Sequence, residues 1–148
     1  MDIKFRYLGK IITGFALVSL VLGVTFIQQG YAKEAFLREV MAQEQITVGD
    51  LEGVVDTAAE AQIAGDTVRE HRHGIAPTYG DLLGDGRFDP TVPMQLTYAQ
   101  ALNLENYLYL AVASFGVFTV VKVVGGFMIV MGLALGTMGF ALLRKGKS

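Results

Sequence analysis

Few side chains in this sequence are of types that could do chemistry, and two groups of them could hold a metal ion. The only histidines are His71 and His73, inside Arg69-Glu70-His71-Arg72-His73. On a strand or loop such an H-x-H pair shares one face and can ligate an ion. On a helix, residues two apart point about 200° from each other and cannot chelate together. Helical spacing around the pair therefore favours a surface role, with positive charge suiting the end of a helix. The second group is Asp81, Asp85 and Asp89, four apart and interrupted by Gly84-Asp85-Gly86. Oxygen-rich glycine loops are what calcium uses, but the D-x-[DN]-x-[DN]-G order and the closing glutamate are missing. Asp-Gly and Asp-Pro are also ordinary turn dipeptides.

Other chemistries lack members. With Cys 0, thiolate metal sites, iron–sulfur clusters and cysteine nucleophiles are excluded. No phosphate-cradling glycine loop or dinucleotide fingerprint occurs, and no serine or threonine stands in a recognisable nucleophile motif. The expectation is a protein that is not an enzyme and has no cofactor.

The elements that must carry these residues are read from hydropathy. Hydrophobic residues make up 52% of the 148 residues, and the mean hydropathy is +0.44. The excess lies near the two ends. Residues 11–27 are apolar and uncharged, and with the flank to residue 32 they are long enough to span a bilayer. This run exceeds the apolar region of a signal peptide, so an uncleaved anchor is expected despite the small residues Gly30 and Ala32. The second apolar run, residues 107–143, is interrupted by Lys122 and Gly125-Gly126. It is too long for one crossing. The five residues from Lys122 to Gly126 are few for a turn between two crossings. The expected arrangement is a span at 123–143, with 107–122 an apolar helix at the outer surface. Lys122 then marks the membrane boundary, its ammonium reaching the headgroups.

Charge sets the orientation. Lys4, Arg6 and Lys10 precede the first span, and Arg144, Lys145 and Lys147 follow the second. Residues 32–106 carry five bases and thirteen acids. The positive-inside rule places residues 1–10 and 144–148 in the cytoplasm and the acidic domain, 33–106, outside. No basic stripe is present that could follow a nucleic-acid backbone. No acid lies in either span, so a proton relay has no members.

The spans carry small residues at packing intervals. Gly125, Gly132, Gly136 and Gly139 fall near one side of the second, including the G-x-x-x-G of Gly132 and Gly136. Ser19 and Gly23 offer the same spacing in the first, with Gly14 further in. Such faces let helix backbones approach closely in lipid. They serve either packing of the two helices on each other or contact with another subunit or second copy.

The outer domain reads as helical. Residues 33–45 continue the first helix, and residues 45–50 form an extended piece and a turn. Thr57 with Glu60 makes a capping box opening a helix over 57–73. Ala61, Ile63, Ala64 and Val68 supply its apolar face, and Gly74 its stop. Residues 74–93 hold all three prolines and form a loop with one helical turn at 79–83. A long helix follows from about residue 95 to 143, with Gly116 or Gly125-Gly126 the places where it could bend.

Gln45-Ile46-Thr47-Val48, Ala59-Glu60-Ala61-Gln62, Val68-Arg69-Glu70-His71 and Thr78-Tyr79-Gly80-Asp81-Leu82 together resemble a family of uncharacterised bacterial two-pass membrane proteins common in actinobacteria. The resemblance implies an N-terminal span, a small extracytoplasmic helical domain and a C-terminal helix ending in a glycine-rich span. A dioxygenase label attached to some members would need a two-histidine, one-carboxylate iron site. His71 and His73 on one helix do not supply it.

The sequence thus predicts a mainly α membrane protein of the bacterial inner membrane with two transmembrane helices. Its partners are expected to be lipid and other membrane subunits or a second copy. The function expected is that of an accessory or structural subunit, the alternative being a ligand- or metal-sensing ectodomain.

Overall fold

The computed structural model describes residues 3–48 and 53–146. The fold is mainly helical: α1 (Ile3–Gln43), α2 (Ala58–Ile75), α3 (Tyr79–Leu83) and α4 (Pro93–Lys145) follow in order. No strand occurs among the described residues. α1 and α4 are long and apolar enough to cross a membrane, with mean hydropathies of 2.1 and 2.2 in their most apolar stretches. The chain divides into two compact units. Unit 1 comprises Met1–Glu34 and Val117–Ser148, and unit 2 comprises Ala35–Gly116.

α1 continues without interruption through residues 33–43 and ends two residues before Gln45, whose φ is +52°. The extended residues after it are tied down by a hydrogen bond from the Val55 N–H to the Ile46 carbonyl, 3.0 Å. Part of the expected turn, at Gly49 and Asp50, lies outside the described residues.

α2 begins as its sequence requires. The Glu60 N–H donates to Thr57 Oγ1, and the Thr57 N–H donates to Glu60 Oε2 at 3.0 Å. Two of the helix's unpaired N–H groups are involved in this exchange. Its other end departs from the expectation. Gly74 lies inside the helix, which runs to Ile75 and caps at Ala76. The stop is set by Pro77, which forces its predecessor out of the helical region; Ala76 is extended at φ −154°, ψ 141°. α3 is the single turn expected, capped by Thr78 and closed by Gly84 in the left-handed region at φ +55°.

α4 is one helix of 53 residues containing Gly116, Gly125 and Gly126, so residues 107–143 form no hairpin. The division between the units falls inside it, after Gly116.

Unit 2 buries Met41, Val55, Ala61, Ala64, Val68, Leu108, Ala111 and Phe115. The small face of α2 is what permits this. A Cβ at Gly65 would stand 3.1 Å from the Tyr109 ring, so α2 lies directly against α4 there. Ile63, expected on this face, is instead 52% exposed. It falls off the stripe that Ala61, Ala64 and Val68 define, and the helix uses alanine and glycine where a larger side chain would hold it away. A second cluster of Ala76, Leu82 and Tyr98, flanked by Ile75 and Leu102, closes the loop end.

Candidate functional site

The most buried polar chemistry in unit 2 is a pair the sequence did not single out. Arg72 turns inward from α2 to meet Glu105 of α4. Its Nε donates to Oε2 at 2.6 Å and its Nη2 to Oε1 at 3.3 Å. The side chains are 9% and 8% exposed. Arg72 Nη1 also donates to the Tyr98 hydroxyl, and the guanidinium lies 4.9 Å from that ring's centroid. The Glu105 hydrogen bonds push the Arg72 pKa up, against the opposing effect of burial. The guanidinium therefore stays charged and paired. This is an internal tie between two helices, with every strong donor directed at its own chain.

A second tie lies further along the same helices. Tyr109 donates its hydroxyl proton to Asp66 at 2.6 Å, and Asp66 also pairs with Arg69 at 3.1 Å. Tyr109, and then Gln62, hold the Asp66 carboxyl below its ordinary range. Burial, and then the bond to Asp66, push the Tyr109 phenol up.

The metal candidates do not converge. His71 and His73 are both exposed on α2 and two residues apart. The His73 ring nitrogen lies 3.2 Å from the Arg72 guanidinium, a cation that opposes a metal at that nitrogen. Asp81 accepts from Thr78 Oγ1 at 2.7 Å at the start of α3. Asp89 accepts from the Thr91 N–H and hydroxyl at 2.8 and 2.7 Å, an Asx turn that lowers its pKa. Asp85 is exposed in the loop between. Among the described residues no three His, Cys, Asp or Glu side chains gather where a metal ion could be held.

One groove of about 580 Å³ opens on unit 2, lined by Glu44, Ile46, Gln100, Asn103, Leu104, Asn106, Tyr107 and Leu110. Gln100, Asn103 and Asn106 stand exposed on successive turns of α4. In its wall the Tyr107 hydroxyl is sealed from solvent and has no hydrogen-bond partner among the described residues.

In unit 1 the small residues build a seam. The buried residues described there are Gly9, Ala16, Gly23 and Gly30 on α1, Gly125, Gly132 and Gly139 on α4, and Gly146 just past its end. Each set repeats every seven residues. A Cβ on Gly23 would fall 2.7 Å from the Gly125 carbonyl oxygen, and one on Gly125 2.7 Å from that of Gly23. Gly132 faces Leu20 and the Ala16 carbonyl, and Gly139 faces Thr13 and the Gly9 carbonyl. The helices are antiparallel and in backbone contact. A seven-residue stripe stays in register only if they wrap with a left-handed twist. Ser19 adds a bond from its hydroxyl to the Met128 carbonyl at 2.7 Å. Gly136 sits at the edge, its Cβ position 3.8 Å from Ala16 Cβ, while Gly14 meets nothing within 4 Å.

Lys122 does not stand alone. Its stem crosses Gly30, where a Cβ would come within 2.6 Å of Lys122 Cγ. Its ammonium donates to Glu34 at 2.5 Å and lies 4.8 Å from the Tyr31 ring centroid. Glu34 is the first acid after the apolar run of α1, and that position was the available signal for the pair.

Compared with protein-family models, curated proteins and solved structures, the chain matches none.

Proposed function

We propose that this chain is a two-pass protein of a bacterial inner membrane, with both ends cytoplasmic and residues 33–106 outside. Its role is that of a non-enzymatic accessory or structural subunit of a membrane assembly. The exterior of unit 1 carries the reading. Because the seam is made of glycine and alanine, the large apolar side chains point outward: Phe15 is 65% exposed, Val21 64%, Phe127 63% and Phe140 67%. In water so large an apolar surface drives aggregation. In lipid it is an ordinary exterior, and small residues at the contact are what drives helix pairing there. The basic ends and the acidic middle supply the orientation. Resemblance to the two-pass family supports the same placement.

The accessory role is supported by how unit 2 uses its polar groups. Arg72 with Glu105, and Asp66 with Tyr109, hold its own helices together. The groove beside Asn103 is the surface such a subunit offers another membrane protein or a second copy, with amides to bond a backbone and Leu104 and Leu110 to pack against it. The test places a photo-crosslinking amino acid at Asn103 in cells and purifies the tagged chain in mild detergent. An adduct with a membrane protein or a second copy, lost on Leu110→Asp, is the expected result. Recovery as a monomer without adducts refutes the reading.

A further inference from the structure

We infer that the cytoplasmic end of unit 1 is a binding site for an anionic phospholipid, with the lipid phosphate held by Arg6, Lys10 and Arg144. The inference rests on the membrane reading above and adds a ligand to it. A pocket of about 500 Å³ is lined by Arg6, Lys10, Phe140, Leu143 and Arg144. Three cations from two helices thus share one cavity with two apolar side chains. The seam brings them there. Gly9 lies against Leu143, and Gly146 against the stem of Arg6, where a Cβ would come within 2.5 Å of Arg6 Cγ. Larger residues at these two positions would separate the helix ends and the charges with them.

Among the described residues nothing balances the charge of this arrangement. Residues 3–10 and 140–146 contain Lys4, Arg6, Lys10, Arg144 and Lys145 and no acid. Among the described residues none of the three pocket cations has a salt-bridge partner; Lys145 lies 5.4 Å from the Phe5 ring centroid. Arg6 also lies in the first turn of α1, where the helix dipole disfavours a cation and favours an anion. A phosphate would relieve both effects. Phe140 and Leu143, on the lipid side of Arg144, would lie along the acyl chains. Basic pockets between helices on the cytoplasmic side are a recurrent form of anionic headgroup site. A zwitterionic lipid brings its own cation and is the poorer fit.

The experiment uses the full chain in detergent, titrated with phosphatidylglycerol, phosphatidylcholine or soluble glycerol 3-phosphate, with bound lipid counted by native mass spectrometry. Phosphatidylglycerol is expected to be retained over phosphatidylcholine. Arg6→Gln, Lys10→Gln and Arg144→Gln are each expected to weaken retention about fivefold. Lys4→Gln, outside the pocket, is expected to leave it unchanged. The charge-conserving Arg6→Lys/Lys10→Arg/Arg144→Lys variant retains the lipid and separates loss of charge from loss of fold. Equal retention of both lipids, indifference to the three substitutions, or equally tight binding of glycerol 3-phosphate overturns the site. Alkaline carbonate extraction of the chain from vesicles separates the two inferences. Release overturns the membrane reading and this site together, whereas an inserted chain without lipid preference overturns the site alone.

Discussion

Replacing Glu105 by leucine removes the acceptor of two Arg72 hydrogen bonds, at 2.6 and 3.3 Å, and leaves a guanidinium in a site where its side chain is 9% exposed. Tyr98 and the His73 ring remain as its neighbours, and neither carries a compensating negative charge. Breaking a buried pair from one side costs about 3–5 kcal/mol. The cost is that of the stranded charge, so removing the charge as well should recover most of it. In Arg72→Met/Glu105→Leu the remaining loss is the Tyr98 hydroxyl left without its partner, about 1–3 kcal/mol. Adding Tyr98→Phe should remove that too. Unit 2 stability is read by hydrogen exchange of the α2 amides around Ala61, Ala64 and Val68 in the full chain, where a loss of about 4 kcal/mol lowers protection about a thousandfold. Two results refute the reasoning. One is a single substitution costing less than about 1 kcal/mol. The other is a triple variant as unprotected as Glu105→Leu, which would mean the polar contacts stabilise by more than their charge balance.

The absence of native cysteine makes the unit 1 seam directly testable. Ala16→Cys with Gly136→Cys places the two Cβ atoms at about the 3.8 Å of the Ala16 contact, within disulfide range. Copper-catalysed oxidation should lock the helices, seen as a mobility shift reversed by reductant, and no shift would contradict the register. Gly125→Leu must displace the backbone of Gly23 and should abolish that crosslink, while Gly14→Leu, in open space, should leave it intact. Thr57→Ala removes one side of the capping box and should cost about 1 kcal/mol in α2 protection. The hydrogen bond from Thr57, above all, lowers the Glu60 pKa from 4.5. Its contribution is therefore full above that value and declines as pH falls through the lower folded pKa. Tyr109 gives the opposite dependence. Its pKa is raised from 10.0, so its stabilisation is full below pH 10.0 and lost as pH rises beyond it, with Tyr109→Phe removing the alkaline limb of a protection-versus-pH profile. Glu34→Gln should weaken the helix pair near Lys122, and Glu34→Gln/Lys122→Met should weaken it less, as read by the yield of the Ala16–Gly136 crosslink.

Local signals settled a good part of this protein. Thr57, Glu60 and the alanines of α2 specify a capped helix because cap and stripe are both properties of neighbouring residues. The turn at α3 and the long apolar helices were legible for the same reason. Two points were missed, one for a local reason and one for a distant reason. Gly74 looked like a stop, but Pro77 set the end, since a proline restricts its predecessor whatever glycine lies upstream. Arg72 drew no reading of its own beside the histidines, because nothing near it in sequence announces Glu105, thirty-three residues away.

The seam divides the two kinds of information most clearly. Composition alone made α1 and α4 apolar and rich in small residues, and the basic ends and acidic middle are a matter of counting. The G-x-x-x-G of Gly132 and Gly136 drew attention to a four-residue interval. Tertiary structure chose the seven-residue one, recruiting Gly9, Ala16, Gly30 and Gly146 and leaving Gly14 outside. A helix presents several small-residue stripes at once. Which becomes an interface depends on a partner backbone matching it turn for turn, and only the antiparallel pairing of Gly23 with Gly125 fixes that register.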